Sequence, residues 1–462
     1  MRLLFFFIFL FSYTATYSQS INLISKDSTV VVGDIIISGN KKTRTNIILR
    51  ELFFKKGDTL LIHDFEEKIK QSRAFVFNTT LFVDVEVTTA KQDSNRTSVI
   101  VLVKERWYLF PVPYFKLVDR NFNEWWVNQN RDFSRVNYGL KFFHNNLTGR
   151  NDKLNVWLIT GYNRQVSLRY ENPFVNKKLT NGINIGFSQS KQKEINYRTD
   201  NLNKQQFLKV EDGFARNNTR FDFAFTIRPD QKFRHTFRTG YTWESINDSV
   251  AIKNPNYYGS GLKELSFLDF SYSLQYFNTN YNIYPTKGFI GTFSIYKRGL
   301  NKASDFTQLT GSAVFITPLS KKMFWSTGFS ATAKFPHNEN FINQGLFGYG
   351  DFQIRGLENY VVDGVAGIMN RNSLGLNLFT YNLKLPIKSK TLQSIPFKFY
   401  PKIFCDVGYS HNPYKNNDLL GNRFLYSYGF GLDIVSIYDV VIKFEYSFNQ
   451  LGSTGFVFGS GN

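Results

Sequence analysis

Near the C-terminus Ile442, Phe444, Tyr446 and Phe448 alternate with Lys443, Glu445, Ser447 and Asn449, giving one apolar and one polar face at period two. The same alternation recurs upstream. Leu268, Phe270, Tyr272, Leu274 and Tyr276 interleave with Asp269, Ser271, Ser273 and Gln275, and Phe221, Phe223, Phe225 and Ile227 with Asp222, Ala224, Thr226 and Arg228. It predicts sixteen strands, near residues 136–145, 152–162, 164–172, 181–191, 194–210, 218–228, 232–245, 265–280, 288–299, 305–318, 322–334, 371–386, 397–411, 423–435, 438–449 and 453–459. Every second connection is tight: Asn163, Gln192 to Lys193, Pro229 to Gln231, Pro285 to Lys287, Leu319 to Lys321 and Ser436 to Ile437, with Ile387 to Pro396 the longer exception. Others, such as Ile246 to Glu264 and Phe335 to Asn370, are long. A soluble β-sandwich also alternates. Strands of about ten residues, many in succession and dense in aromatics on the apolar face, instead describe a transmembrane β-barrel. Lipid offers no partner to an unpaired amide, so the sheet must close, and sixteen strands leave a water-filled interior. The expected fold class is an all-β membrane barrel, a 16-stranded antiparallel transmembrane β-barrel behind a small N-terminal α+β domain.

That domain follows a different pattern. Arg2, the apolar run Leu3 to Phe11 and the small-x-small site Thr16-Tyr17-Ser18 predict a signal peptide over residues 1–18, a mature chain from Gln19 and a short segment 19–28. Residues 29–106 read β-α-α-β-β. Asp34 to Ser38 is a strand ended by Gly39-Asn40, and Thr45 to Phe54 a helix with Ile48, Leu49 and Leu52 on one side, stopped at Gly57. A second helix from Asp64 carries Phe65, Ile69 and Phe75, and strands Phe82 to Thr88 and Ser98 to Val103 follow. Residues 107–462 form the barrel, with 335–370 as its longest loop.

Composition narrows the class further. Eighteen per cent aromatics against 20% charged residues exclude a disordered chain, and a lone Cys405 excludes a disulfide scaffold or a multi-cysteine metal site. The longest apolar run, nine residues, is too short for a membrane-spanning helix. Of the formal charge of +20, residues 19–106 hold only +3, so the excess belongs to the barrel. Scattered cations on an exported chain fit anionic lipid headgroups at the rims or a cationic lumen, not nucleic acid.

The stretch ISGNKKTRTNIILRELFFKKGD, followed by QSRAFVFNTTLFVDVEV, resembles a POTRA domain (polypeptide-transport-associated). NNLTGRNDKL at Asn145 to Leu154, YENPF at Tyr170 to Phe174 and YPTKG at Tyr284 to Gly288 resemble, in that order, the first outside loop, third strand and a periplasmic turn of the BamA/TamA surface-antigen superfamily. The resemblance covers essentially the whole mature chain. Within FGYGDFQIRGLENYVVDG, Ile354-Arg355-Gly356-Leu357 is similar to the family's hydrophobic-Arg-Gly-aromatic motif, carried on a loop that folds into the barrel. Its implied partner is the aspartate of Phe404-Cys405-Asp406-Val407-Gly408. Strand parity agrees, putting Phe404 and Asp406 on the lumen face and Cys405 toward lipid. The expected lumen loop brace is therefore Arg355, Gly356, Phe404 and Asp406; the alternative is an ordinary arginine in a glycine-rich surface loop. Two departures stand out. Leu357 replaces the aromatic, with Tyr360 a candidate substitute, and the chain ends four residues beyond its last aromatic, Phe458. The resemblance also implies a seam between first and last strands that opens sideways, with Gly455, Phe456, Val457 and Phe458 on one side and residues near 138 on the other.

The implied function is assembly or translocation of proteins at the bacterial outer membrane, the POTRA-like domain capturing unfolded clients and the barrel inserting or exporting them. Expected partners are outer-membrane lipids and lipopolysaccharide, unfolded client proteins and accessory periplasmic or lipoprotein subunits, with no nucleic acid. No cofactor or metal is expected. His63, His144, His235, His337 and His411 fall singly, outside any nucleophile-elbow or HExxH context, so catalysis is not expected. The rival reading is a passive porin or receptor anchored by its periplasmic domain.

Overall fold

The computed structural model describes residues 28–93, 95–118, 132–299, 305–337, 340–350, 352–384, 394–414 and 418–461. The expected signal peptide lies outside them. The N-terminal domain runs β1 (Thr29–Ser38), α1 (Thr45–Leu49), β2 (Thr59–Leu61), α2 (Ile62–Asn78), β3 (Phe82–Lys91) and β4 (Arg96–Glu105). Its sheet has the order β2-β1-β4-β3, with β1 and β4 parallel. Period-two Val99, Val101 and Val103 of β4 turn inward with Val85, against Ile47 and Ile48 of α1 and Phe65 and Val76 of α2. Asp64 sits in the first turn of α2, where its charge complements the helix dipole, and Leu61 is the N-cap.

The barrel begins almost at once, with β5 (Leu109–Leu117), β6 (Val136–Asn145), β7 (Lys153–Gly161), β8 (Arg164–Asn172) and β9 (Asn181–Gln192). A hairpin of β10 (Glu194–Thr199) and β11 (Gln205–Lys209) then stands apart as its own two-stranded sheet. The wall resumes with β12 (Arg216–Ile227) and β13 (Phe233–Ile246), and after α3 (Asp248–Lys253) come β14 (Glu264–Thr279), β15 (Gly288–Arg298), β16 (Phe306–Pro318) and β17 (Met323–Phe335). The long loop holds α4 (Phe341–Gln344), β18 (Gly345–Phe347) and β19 (Val362–Asp363). Last come β20 (Ala366–Leu376), β21 (Phe379–Lys384), β22 (Ser394–His411), β23 (Phe424–Val435), β24 (Val441–Asn449) and β25 (Thr454–Gly461). Seventeen segments close into one antiparallel barrel in which β25 and β5 are neighbours. Because β20 and β21 lie in line on the same partner, β22, they make one interrupted span, and the spans number sixteen.

The total matches the sequence expectation through two compensating differences. Leu109–Leu117 is a span that the pattern hid, since Pro111 and Pro113 demote a run that is otherwise apolar. Residues 194–210 are not a span but the detached hairpin, folded back at Asp200 to Asn203. Sidedness changes with them. The segment Asn145 to Leu154 turns at the domain end, where the Arg44 amide donates to the Gly149 carbonyl at 3.0 Å, and not outside. Asn163 and Gln192 to Lys193 fall at the far end instead.

Burial is inverted relative to a water-soluble sheet. Phe221, Phe223, Leu268, Phe270, Ile403 and Phe430 are exposed on the outer face, while Asp222, Asp269, Asp406, Asp433 and Ser447 are buried on the inner one. Only a lipid solvent makes this arrangement favourable, because each outward ring would otherwise cost the hydrophobic transfer energy.

Candidate functional site

The long loop folds into the barrel and seats against β20, β22, β23 and β24. Ile354 and Leu357 are buried in an apolar cluster with Leu346, Phe347, Val362, Met369, Leu420 and Leu425. Between them Arg355 reaches the wall. Its Nε donates to Asp406 Oδ2 at 2.8 Å, its Nη2 to Oδ1 at 2.5 Å, and its backbone amide to Oδ2 at 3.1 Å. The remaining donors go to Ser373 Oγ and the Asn372 carbonyl, both at 3.0 Å. The guanidinium lies 4.0 Å from the centroid of Phe404. A planar fork satisfied on all sides over an aromatic face is the strongest seat available to an arginine.

Glycine chemistry explains the motif around it. Gly356 has φ +83, and a Cβ there would meet Ser447 Cβ at 3.1 Å and Ser427 Cβ at 3.3 Å. A Cβ on Gly408 would meet Ile354 Cδ1 at 2.7 Å. Loop and wall are thus cut to one another, with Ile354 filling the space that Gly408 leaves. Around them runs a charge-balanced network: Arg371 Nε lies 3.5 Å from Asp406, and Lys402 bridges Asp433 and Glu445, each at 2.7 Å. The structure therefore brings together all four residues of the expected brace.

Sequence reasoning missed two further sets of contacts on this loop. Buried Lys334 donates to the carbonyls of Asn343, Gly345 and Gly364 at the foot of the loop. Buried Asn203, at the tip of the β10–β11 hairpin, exchanges two bonds with Val361, at 2.9 and 3.0 Å, and accepts from the Leu420 amide at 2.7 Å. Leu357 is buried in the cluster and Tyr360 packs against its edge, with Lys204 Nζ 3.6 Å from the ring centroid. No local pattern marks Asn203, whose partners are all distant in sequence.

The domain end is closed by another set. Arg228, at the foot of β12, forks onto Glu51 at 3.1 Å for both bonds, and Arg50 donates to the carbonyls of Leu179, Arg228 and Asp230. Phe174, from the turn after β8, is buried in the domain's own core. Arg106 forks onto Asp439 at 2.7 and 3.1 Å, and Tyr281 donates to the same carboxylate at 2.7 Å. Burial and the neighbouring Arg228 push the Arg50 guanidinium down to about 10.

The seam lies between β5 and β25, so residue 138, in the second span, is not on it. The Val118 amide donates to Arg135 and the Tyr108 carbonyl accepts from Asn145, which directs the even-numbered backbone groups of β5 toward β6. The odd-numbered groups then face β25. Two of them are Pro111 and Pro113, which have no amide hydrogen to give. Across the seam Phe456 and Phe458 point outward and exposed, while Gly455 and Val457 pair with Ser447 and Glu445 of β24.

Comparison with known proteins agrees with this architecture. The Omp85 superfamily domain matches residues 146–462, and the POTRA family, described as a surface antigen variable number repeat, matches residues 30–106. The chain belongs to the Omp85 superfamily. BamA from Haemophilus ducreyi lacking POTRA domains 1–3 is similar in fold, at 16% identity and a TM-score of 0.50 over 93% of this chain and 83% of that one. CdiB from Escherichia coli gives 14% identity and a TM-score of 0.51 over 93% and 73%. No curated protein sequence matches significantly. This Omp85 chain is accordingly a bacterial outer-membrane β-barrel with a POTRA domain, in a family of protein insertion and secretion factors.

Proposed function

We propose that this Omp85 barrel takes unfolded client proteins from its POTRA domain and passes them into or across the outer membrane through the β5/β25 seam, without catalysis, nucleotide or metal. The observation that carries the reading is the missing donors: a closed barrel needs every backbone group paired, and the seam edge of β5 lacks amide hydrogens at Pro111 and Pro113. An incoming strand competes best where the resident ladder is weakest. Edge strand β3 of the POTRA sheet supports capture, since an extended segment can add there by main-chain bonds that read little sequence. The seated loop and docked domain count against a passive pore, which would conduct steadily in a planar bilayer.

The test is a set of cysteine pairs joining Phe115, on the same outer face, to Phe456 or Phe458, in a Cys405→Ser background. Oxidation is expected to stop delivery of a defined group of outer-membrane or surface proteins, and reduction to restore it. An unchanged surface proteome with the seam fully cross-linked rejects the reading.

A further inference from the structure

Away from the seated loop, the opposite half of the lumen is open and cationic. A cavity of about 380 Å³ near the domain end is lined by Lys153, Arg228, Arg234 and Arg238, with Glu171 the one carboxylate among its lining residues. The charges are poorly compensated. Arg228 is taken by Glu51, and Asp222 is forked by Arg169 at 2.8 and 3.1 Å, leaving Arg238 only a 3.9 Å approach to it. Lys153 and Arg234 make no ion pair with any described carboxylate, although Glu171 is the cross-strand neighbour of Lys153.

Register sharpens the point. Arg234 and Arg238 share the inner face of β13, and their neighbours across to β14 are Gln275 and Ser271, neutral donors and not acids. On the other side the β12–β13 register ends with Ile227 opposite His235, and Arg228 and Arg234, the next residue on each strand, line the same cavity as two cations. Like charges so placed repel. Forked guanidinium groups, an ammonium, hydroxyls and an amide converging on one wet cavity match an anion with several oxygens.

We propose that this chamber is a binding site for a phosphate-class anion, held by Arg234, Arg238 and Lys153, with Ser271 and Gln275 supplying further hydrogen bonds. The assignment is independent of the client-handling reading. The phosphate could arrive free or as the headgroup of an anionic lipid, and the test separates the two sources.

Inorganic pyrophosphate is titrated by calorimetry into the full-length protein in phosphatidylcholine nanodiscs. In a second arm, phosphatidate is included in the discs and its retention on purified protein is measured. Saturable binding in the first arm assigns a free anion, and retention only in the second assigns a headgroup. In whichever arm binds, an Arg234→Gln/Arg238→Gln double variant is expected to lose at least about tenfold in affinity, the equivalent of one charge-assisted bond. Lys177→Gln, in an exposed turn, is expected to bind as the unaltered protein does. Retained heat-modifiable gel migration certifies that each barrel is folded. No saturable binding in either arm, or undiminished binding by the folded double variant, overturns the proposal.

Discussion

The two ends of this barrel are closed by the same chemistry put to different use. Arg355 and Asp406 form a fork inside the wall, beneath an apolar cluster and beside glycines that a Cβ would spoil. At the POTRA end, Arg228–Glu51 and Arg106–Asp439 are forks between two modules, the second of them beside a cleft of about 440 Å³ lined by Lys70, Arg73 and Lys398. The first contact is continuous with the barrel's packing; the second is a docking of two separately built parts. A buried ion pair gives direction more than net stability, so what distinguishes the ends is the shape complementarity around each fork.

The comparison breaks most visibly at Arg355. Arg355→Ala leaves Asp406, which is fully buried, with its main partner gone, and the expected loss of loop seating is about 3–5 kcal/mol. Limited proteolysis of the folded barrel should cut residues 345–365 in the variant and spare them in the parent. Arg355→Lys is expected to rescue little, because an ammonium cannot span both carboxylate oxygens and still reach Ser373 and Asn372. Equal protection in the parent and both variants would move the anchoring from the fork to the apolar cluster.

Gly356→Ala is the next step down. Its left-handed φ and the two serine Cβ atoms within 3.3 Å act together, for an expected cost of about 1–3 kcal/mol. The same proteolysis should show intermediate sensitivity. Ser447→Gly in that background should return part of the protection by opening one of the two contacts.

These positions also show what was legible in the sequence. Period-two alternation exposed fifteen of the sixteen spans, because lipid on one side and water on the other print every strand with the same signature. It failed at β5, where prolines suit a seam but disguise a strand, and at 194–210, where an alternating hairpin stands on a loop. The Arg355/Asp406 pair was legible through family resemblance and parity together. Asn203, Lys334 and Phe174 were not, since their partners are carbonyls and cores assembled from distant segments, and neither leaves a periodic trace.

At the domain end smaller effects are expected. Arg106→Ala removes a fork that also holds Tyr438 and Asp439 in left-handed backbone conformations, φ +57 and +63. An expected cost of about 1.5–3 kcal/mol, the range for charge-assisted bonds, should loosen docking without unfolding either part. Cysteines replacing Lys70 and Lys398, which line the same cleft, should cross-link more slowly in that variant, while heat-modifiability of the barrel stays unchanged. A simultaneous loss of barrel migration would show that the POTRA contact is part of the barrel's stability after all.

The smallest effect is a pH dependence of that docking, and its sign follows from Arg50. Desolvation, and next the charge of Arg228, lower its pKa from the ordinary guanidinium value to about 10 when the domain is docked. Between those values the undocked state binds more protons than the docked one, so docking must strengthen as pH rises through that window. At pH 6–8 both states are fully protonated at Arg50, and this residue contributes no slope. The Lys70/Lys398 cysteine pair is unsuitable here, because thiolate formation would itself change with pH. A fluorescence-transfer pair on the POTRA domain and an outer loop should instead read flat from pH 6 to 8 and rise modestly above 10. Arg50→Gln should abolish the rise. A slope already present near neutrality would place the titrating group elsewhere in the interface and remove Arg50 from the account.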